Sequence, residues 1–403
     1  DLKLMVELFR LGCRYREIAS RGVDKKEAGE MRIDESIILR TISDDDDELE
    51  SLHACRPILD CIYGRSNKAK AESGKVAVKP SVGGIRLNAS QTRAVCLYAD
   101  ASGPRVFCVL SPPGSGKTTV AAAMAAEVAC TSKGANQLLL SVQNVAVDNM
   151  GAALKKMDYG GGEVYNIKAT EKLDPHCPTP FDFFDLMDGK TLDEWRTGRI
   201  SLKRMVPTKK VRVEWMEKRC MKRHYEERQL SYEDALTFDR RKFEDSIHPK
   251  MILATVEMVL HKLYSRTNLK CAIQDVERVI IDEASLLTEA ALFCLIRRFP
   301  YARIVLIGDN RQLPPFMYDS KILGHELAGR PALSAAMKTG KVPVVELNNV
   351  YRAPPSLVAP YNRLAYGGKL VSKKAEGEFP LSGISLIRSR MPQLLLIDVD
   401  GRQ

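Results

Sequence analysis

Short apolar runs recur along the chain and alternate with longer segments of helical character. The runs are "RVFCVL", "QLLLSV", "MILATV", "RVIIDEAS" and "RIVLIGDN", which begin at Arg105, Gln137, Met251, Arg278 and Arg303. Near-continuous apolar strands of this kind are typical of a parallel sheet that helices cover on both faces. The pattern therefore predicts an α/β fold whose chemistry lies beyond the carboxyl ends of the strands.

Two helical segments follow the first two of these strands. "KTTVAAAMAAEVAC" after Gly116 is rich in Ala, the strongest helix former. "NVAVDNMGAALKKM" at Asn144–Met157 is interpreted as a loop and a helix. A further helix is expected after Asn88, because Asn88 and Gln91 have the spacing of a capping box.

This alternation stops between residues 155 and 249, where we expect a helical insertion subdomain. Residues 196–228 of this range contain 12 Lys and Arg against 4 Asp and Glu, which is most of the net charge of +10. A basic patch suits a polyanion such as nucleic acid. A solvated helical face is an equally good interpretation of the same residues. Residues 1–86 are interpreted as an accessory N-terminal region and linker.

Composition narrows the class of protein. The 403 residues are 45% hydrophobic and 28% charged, as is usual for a soluble globular protein of several domains. No apolar run approaches the ~18 residues of a membrane span. The ten cysteines are scattered singly, which favours reduced thiols inside the cell. We therefore expect a cytoplasmic or nuclear protein that has no membrane partner.

The segment "SPPGSGKT" at Ser111–Thr118 is close to the pattern of a phosphate-binding loop. It lies between a predicted strand and a predicted helix, as that loop requires. Pro113 would line the nucleotide, while Gly114, Ser115 and Gly116 would direct backbone N–H groups at phosphate oxygens. Lys117 would bridge the terminal phosphates and Thr118 would hold Mg²⁺. Thr119 is a further predicted nucleotide-binding residue. Ser111 stands where the pattern has Gly.

Two further segments add the groups that hydrolysis needs. In "VIIDEAS", Asp282 would hold Mg²⁺ and Glu283 would orient or deprotonate the attacking water. In "LIGDNRQLPP", Asp309 and Gln312 follow a buried strand. The amide of Gln312 can donate and accept, so it can link a γ-phosphate or its water to a moving element.

A fourth segment, "ELNNVYRAPPSL" at Glu346–Leu357, contains an aromatic residue followed by an arginine. The guanidinium of Arg352 suits a phosphate. The ring of Tyr351 offers a flat face for a base or for a core. Read without the other segments, Arg352 is an ordinary surface arginine.

Taken together, the segments from Leu87 onward resemble the superfamily-one helicases, in particular the branch of the nonsense-mediated-decay RNA helicase. The resemblance is carried by "LNASQTRAV", "SPPGSGKT", "SVQNVAVDNM", "ILATV", "DEAS", "GDNRQLPP" and "NNVYRAPPSL". The most specific of these is "GDNRQLPP". The resemblance implies a P-loop NTPase of RecA-like fold with a central parallel sheet, an accessory N-terminal segment and a helical insertion.

The resemblance also implies cofactors, partners and roles. ATP and Mg²⁺ would be bound, and single-stranded nucleic acid, RNA in preference to DNA, would lie across two motor domains of a monomeric motor. Gln91 would read the adenine, Tyr351 would stack on it and Arg352 would approach the γ-phosphate. The segment "SVQNVAVDNM" and Thr255 would lie along the nucleic-acid strand. Regulatory protein partners are also compatible with this branch.

The resemblance divides the chain into domains. The first RecA-like domain would span residues 87–345, with the insertion at 155–249, and a second would begin at residues 346–403. Two motifs of the second domain, one of which contains another arginine, would lie beyond residue 403. The 403 residues alone are therefore expected to bind nucleotide, to hydrolyse it weakly and not to unwind.

Two other functions are alternatives to an ATP-dependent helicase or translocase. One is an ATP-gated nucleic-acid-binding or scaffold protein that does not unwind, but the set of Lys117, Asp282, Glu283, Gln312 and Arg352 argues against an inactive site. The other is an oligomeric ring ATPase, which the "GDNRQLPP" and "VYR" segments do not favour.

Overall fold

The computed structural model of the chain describes residues 48–63, 81–131, 135–159, 163–187, 192–193, 236, 240, 243–244, 247–263, 276–315 and 329–375. The basic segment 196–228 lies outside the described residues, and so does most of the predicted N-terminal region.

Eleven strands are present in the described residues. They are β1 (Ser81–Val82), β2 (Ile85–Arg86), β3 (Val106–Leu110), β4 (Asn136–Ser141), β5 (Val164–Ile167), β6 (Met251–Thr255), β7 (Val276–Asp282), β8 (Arg303–Gly308), β9 (Val344–Glu346), β10 (Asn349–Val350) and β11 (Val371–Ser372).

Seven strands form one parallel sheet in the order β5-β6-β4-β7-β8-β3-β9. All five predicted strands are in this sheet, which confirms the predicted α/β class with a central parallel sheet. The order places β3, β7 and β8 side by side with their carboxyl ends at one edge. The segments that follow these three strands therefore converge there.

Eight α-helices and a short 3₁₀ helix at Thr170–Lys172 accompany the strands in the described residues. The α-helices are α1 (Glu48–Ile62), α2 (Ala89–Ala99), α3 (Lys117–Thr131), α4 (Asn144–Lys156), α5 (Val256–Leu263), α6 (Glu289–Arg298), α7 (Ala332–Met337) and α8 (Pro355–Ala365). None of the described helices is long and apolar enough to cross a membrane.

The sheet is apolar on both faces, and alternate residues of each strand enter different cores. In β3, Cys108 packs in a core with α1, α5, α6 and α7, whereas Phe107 and Val109 pack on the other face with α2, α3 and α4. This is the period-two geometry of a strand buried on both sides. The Ala-rich α3 is buried along most of its length, since its small side chains allow it to approach the sheet closely.

Helix α1 is part of the first of these cores. Cys55, Ile58, Leu59 and Ile62 recur at helical spacing and are buried against the core residues of α6 and α7. The carbonyl of Ile62 also accepts a hydrogen bond from the Thr339 hydroxyl, at 3.0 Å. Helix α1 of the predicted N-terminal region therefore packs directly on the helices that cover the central sheet.

Strand β5 lies in the range 155–249 that the sequence pattern assigned to an insertion. It pairs with β6 at one edge of the central sheet, so an inserted subdomain would begin after Ile167 rather than at residue 155. At the other end, β9 closes the large sheet at Glu346, and β10, α8 and β11 form a separate small unit with its own core. The division of the chain into domains stays a prediction.

Candidate functional site

The phosphate-binding loop, Ser111–Thr118, joins the end of β3 to the start of α3 as predicted. Gly114 and Gly116 have φ angles of 76° and 86°, which only glycine adopts readily. A Cβ atom at Gly114 would lie 2.5 Å from Cβ of Arg352, and one at Gly116 would lie 3.0 Å from Nε2 of Gln91. Both glycines are therefore needed for the turn and for the close approach of neighbouring segments.

Ser111, the departure from the loop pattern, is fully buried and is bonded to the loop itself. Its Oγ lies 2.7 Å from Oγ of Ser115, whose hydroxyl is 2.8 Å from the carbonyl of Pro112. The backbone N–H of Ser111 donates to the carbonyl of Gly308 at 2.9 Å. The hydroxyl pair thus connects the start of the loop to its middle, and Ser111 adds a contact that glycine cannot make.

Gln91 is buried beside the loop, and both ends of its amide are engaged. Its Oε1 accepts from the backbone N–H of Asn88, which completes the predicted capping box of α2. Its Nε2 donates to the carbonyl of Ser115 at 3.2 Å. A primary amide keeps a second N–H and a second lone pair, so these contacts leave Gln91 able to bind adenine as well.

The loop lysine and the predicted catalytic carboxylate form an ion pair. Nζ of Lys117 lies 2.5 Å from Oε1 of Glu283, and each side chain is about one-fifth exposed. Glu283 has a φ of 54°, a left-handed conformation that is uncommon for a residue with a side chain and is concentrated at functional sites. Two oppositely charged groups therefore face each other at the position where a terminal phosphate would enter.

Asp282 is buried at the end of β7 and contacts the start of α3. Burial raises the pKa of its carboxyl to about 6, and the Glu283 charge also raises it, whereas Lys117 and the Thr118 hydroxyl bond oppose the rise. The carboxylate of Asp282 and the hydroxyl of Thr118 offer oxygen ligands side by side, and oxygen is the donor that Mg²⁺ prefers. These two residues fit a magnesium site.

The end of β8 lies against the turn after β7. The N–H of Ala284 donates to the carbonyl of Ile307 at 2.8 Å, and a Cβ at Gly308 would lie 2.9 Å from the backbone N of Ser285. Gln312 follows in a turn, where its N–H donates a hydrogen bond to the carbonyl of Asp309 at 3.1 Å. The two predicted segments are thus in direct backbone contact.

The segment that contains Tyr351 and Arg352 rests on the phosphate-binding loop. The N–H of Tyr351 donates to the carbonyl of Gly114 at 2.8 Å, and its hydroxyl accepts from Nδ2 of Asn88 at 2.8 Å. Tyr351 is 40% exposed, and Arg352 is exposed as well. Both side chains therefore remain accessible to a ligand.

The predicted nucleic-acid contacts lie at the same edge of the sheet. In "SVQNVAVDNM", Val142 and Val145 are 41% and 70% exposed. The Thr255 hydroxyl accepts the N–H of Met258 at 3.2 Å and so caps α5. Thr255 therefore has a local capping role in addition to the predicted one.

The structure brings most of the predicted site residues together at the ends of β3, β7 and β8. Sequence reasoning missed the Ser111–Ser115 bond, the bond from Gln91 to Ser115 and a contact between Asp309 and Tyr366. Asp309 and Tyr366 are separated by 57 residues, and a tyrosine near the end of an amphipathic helix indicates only packing.

Comparison with known proteins gives the class of this chain. Residues 91–317 match the family described as "AAA domain", so the chain belongs to that family. This range begins at Gln91 and extends past Gln312, so it contains the phosphate-binding loop and the segments after β7 and β8. The family spans more than half of the chain.

Several named relatives are helicases. The chain is 27% identical over 326 residues to an uncharacterized ATP-dependent helicase of Caenorhabditis elegans, a match that covers 72% of this chain and 20% of the relative. It is 31% identical over 125 residues to the 5'-3' DNA helicase ZGRF1 of Mus musculus, covering 31% of this chain and 6% of the relative.

A third relative is the DNA replication ATP-dependent helicase/nuclease DNA2 of Homo sapiens. It is 30% identical over 128 residues, which cover 32% of this chain and 11% of the relative. A solved Arterivirus nonstructural protein 10 helicase in complex with DNA has a TM-score of 0.32 and 11% identity, and covers 71% of this chain and 44% of that one.

The chain therefore spans a fifth or less of the length of these curated relatives. Because these relatives are named as helicases, they confirm the predicted resemblance to the superfamily-one helicases. They do not distinguish the nonsense-mediated-decay branch from others.

Proposed function

We propose that the chain is the ATP-binding core of a helicase or translocase that couples ATP hydrolysis to movement on single-stranded nucleic acid. The observation that carries the proposal is the convergence of Lys117, Thr118, Asp282 and Glu283, with Tyr351 seated on the same loop. A phosphate-binding loop, two acids and an accessible aromatic residue are the groups that ATP hydrolysis uses.

The residues divide the chemistry among them. Backbone N–H groups from Gly114 to Gly116 and the positive end of α3 bind the phosphates. Lys117 leaves Glu283 for the terminal phosphate, and the freed carboxylate then orients the attacking water. Asp282 and Thr118 would hold Mg²⁺, which would neutralise charge on the phosphates.

The remaining residues connect the nucleotide to the rest of the molecule. Tyr351 stacks on the adenine that Gln91 reads, and Arg352 approaches the γ-phosphate as a source of positive charge. Gln312, in the turn after β8, detects whether that phosphate is present. Because Tyr351 and Arg352 belong to the segment after β9, nucleotide bound here contacts both parts of the chain.

The nucleic acid is single-stranded, and both RNA and DNA are candidates. The resemblance to the nonsense-mediated-decay branch favours RNA, whereas two of the relatives are named as DNA helicases. Regulatory proteins, Mg²⁺ use and monomeric action are part of the same proposal.

The test measures steady-state ATP hydrolysis by the full-length protein with no nucleic acid, with single-stranded RNA and with single-stranded DNA. Stimulation by either polymer is expected. Lys117→Ala should lower kcat on the order of 10²–10³-fold, as the loss of one charge-stabilising donor does.

The outcomes distinguish a nucleic-acid motor from an ATP-gated scaffold. Stimulated hydrolysis that Lys117→Ala abolishes, together with displacement of a paired strand, supports the motor. ATP-dependent binding of nucleic acid without stimulated turnover would instead identify an ATP-gated scaffold and contradict the proposal. The polymer that stimulates more strongly identifies the natural substrate.

A further inference from the structure

Tyr366, the residue that follows α8, forms a buried hydrogen bond across the junction between the central sheet and the small unit β10–α8–β11. Its hydroxyl donates to Oδ2 of Asp309 at 2.5 Å. Tyr366 and Asp309 are 7% and 3% exposed. A phenol bonded to a buried carboxylate makes a charge-assisted bond, which is stronger than a neutral one.

The Asp309 carboxylate is also the centre of the turn that carries Gln312. Its Oδ1 accepts the N–H of Arg311 at 3.1 Å, while the Asp309 carbonyl accepts the N–H of Gln312. The Arg311 guanidinium lies 4.8 Å from the centre of the Tyr366 ring, a cation–π distance. Tyr366 therefore contacts this turn through both its hydroxyl and its ring.

Within the small unit β10–α8–β11, Tyr366 is fixed by hydrogen bonds and by packing. Its N–H donates to the carbonyl of Asn362, and the Asn362 side chain forms two hydrogen bonds of 3.0 Å with the backbone of Leu370. Gly367 and Gly368, with φ angles of 59° and 77°, form the turn between Tyr366 and Leu370. Tyr366 also packs in the core of the small unit with Val350 and Val358. A movement of this unit would therefore carry Tyr366 with it.

A second polar contact across the junction is much weaker. Nζ of Lys369 lies 3.5 Å from Oε2 of Glu346, but these side chains are 60% and 46% exposed. Exposed ion pairs contribute little. Both contacts border a cleft that Pro112 of the phosphate-binding loop also lines, so the buried bond lies close to the nucleotide site.

We propose that Tyr366 is a positioning residue, whose hydroxyl bond to Asp309 links the position of the unit β10–α8–β11 to the position of the Gln312 turn. This inference rests on the proposed function. Tyr366 does not touch the nucleotide. It acts through Asp309, so that hydrolysis responds to the placement of the second part of the motor, and nucleic acid acts on the ATP site through that placement.

The first experiment compares Tyr366→Phe with Tyr361→Phe in the full-length protein. Tyr361 lies in α8, and the centre of its ring is 5.9 Å from that of the Tyr366 ring, in an edge-on arrangement. Tyr361→Phe is therefore a matched control, because it also removes one hydroxyl. Tyr366→Phe should lower nucleic-acid-stimulated kcat by roughly tenfold, the effect of one charge-assisted hydrogen bond, with the KM for ATP within about twofold. Tyr361→Phe should match the wild type.

A double-variant comparison tests whether the hydroxyl acts through Asp309. Asp309→Asn preserves shape but weakens the acceptor. If the two residues work as a unit, the protein with both changes should be no slower than the worse of the single variants. Multiplied losses in the double variant would contradict the proposal.

A measurement without turnover separates this inference from the proposed function. Amide hydrogen exchange at Arg311 and Gln312 should be several times faster in Tyr366→Phe than in the wild type, because the turn loses its anchor. Unchanged exchange, or unchanged stimulated kcat, would overturn the inference. An equal loss of activity and of Tm in both phenylalanine variants would show packing alone. Absence of ATP hydrolysis in the wild type would overturn the proposed function, and the exchange result would still decide whether Tyr366 holds the turn.

Discussion

Ser111 shows how one residue can depart from a pattern and still support it. Glycine at this position would provide conformational freedom, whereas the serine hydroxyl provides a bond to Ser115 across the loop. The carbonyl of Ser115 also accepts a hydrogen bond from Nε2 of Gln91. Contacts within the loop and a contact from α2 therefore stabilise the loop conformation, which favours a binding-competent loop before nucleotide binds.

We expect Ser111→Ala to weaken ATP binding. Loss of one neutral hydrogen bond costs about 0.5–1.5 kcal/mol, so the KM for ATP should rise about 2- to 10-fold while kcat changes little. Steady-state kinetics on the full-length protein measures both. Ser334→Ala, in α7, is the control. A KM equal to that of the wild type would show that the Ser111–Ser115 bond has no part in binding.

At the scale of elements, the carboxyl end of α2 is closed by an arginine from a different element. Arg278, buried at the start of β7, donates to the carbonyls of Tyr98 and Ala99, and its guanidinium lies 5.3 Å from the Tyr98 ring centre. A helix end leaves carbonyls without partners and carries partial negative charge. One side chain therefore satisfies the helix end and fixes α2 to the sheet.

We expect Arg278→Met to destabilise the protein although it lies far from the candidate site. The charged hydrogen bonds lost are worth about 1.5–3 kcal/mol, and the carbonyls remain buried. Denaturant unfolding gives the change in midpoint. Arg105→Met, which removes a more exposed bond to the carbonyl of Tyr301, is the comparison and should cost less. Equal losses in the two variants would contradict this account.

The sequence predicts the elements better than it predicts the contacts between them. The strand, loop and helix around Lys117 follow from local composition, and so does the capping box at Asn88. Strand β5 has only four residues and follows a break in the pattern, so it was assigned to an insertion. Helix α1 contains Pro57, a helix breaker, but its buried residues keep helical spacing. The Asp309–Tyr366 bond depends on tertiary structure alone.

At the scale of the whole molecule, positive charge is concentrated in the segment 196–228. The sequence leaves two interpretations of that segment, contact with nucleic acid or a solvated surface. Because counterion release makes polyanion binding depend on salt, the number of phosphate contacts can be counted from the salt dependence of affinity.

We expect neutralisation of Lys203, Arg204, Lys209 and Lys210 to lower the slope of log affinity against log salt. Each lost contact with a single strand should reduce its magnitude by about 0.7. Binding titrations of the full-length protein at several salt concentrations measure the slope. An unchanged slope would indicate that this segment is only a solvated surface.

In the proposed function, the Lys117–Glu283 ion pair makes nucleotide binding an exchange of partners instead of a simple addition. Before ATP can use the lysine, it must replace a carboxylate that lies 2.5 Å away. The free energy of the pair is therefore subtracted from the binding free energy of any nucleotide that engages Lys117. Ligands with too little negative charge cannot compensate for that loss. In the proposed function, the site would thus select for charge at the terminal phosphate, and the same exchange would release the carboxylate that hydrolysis requires.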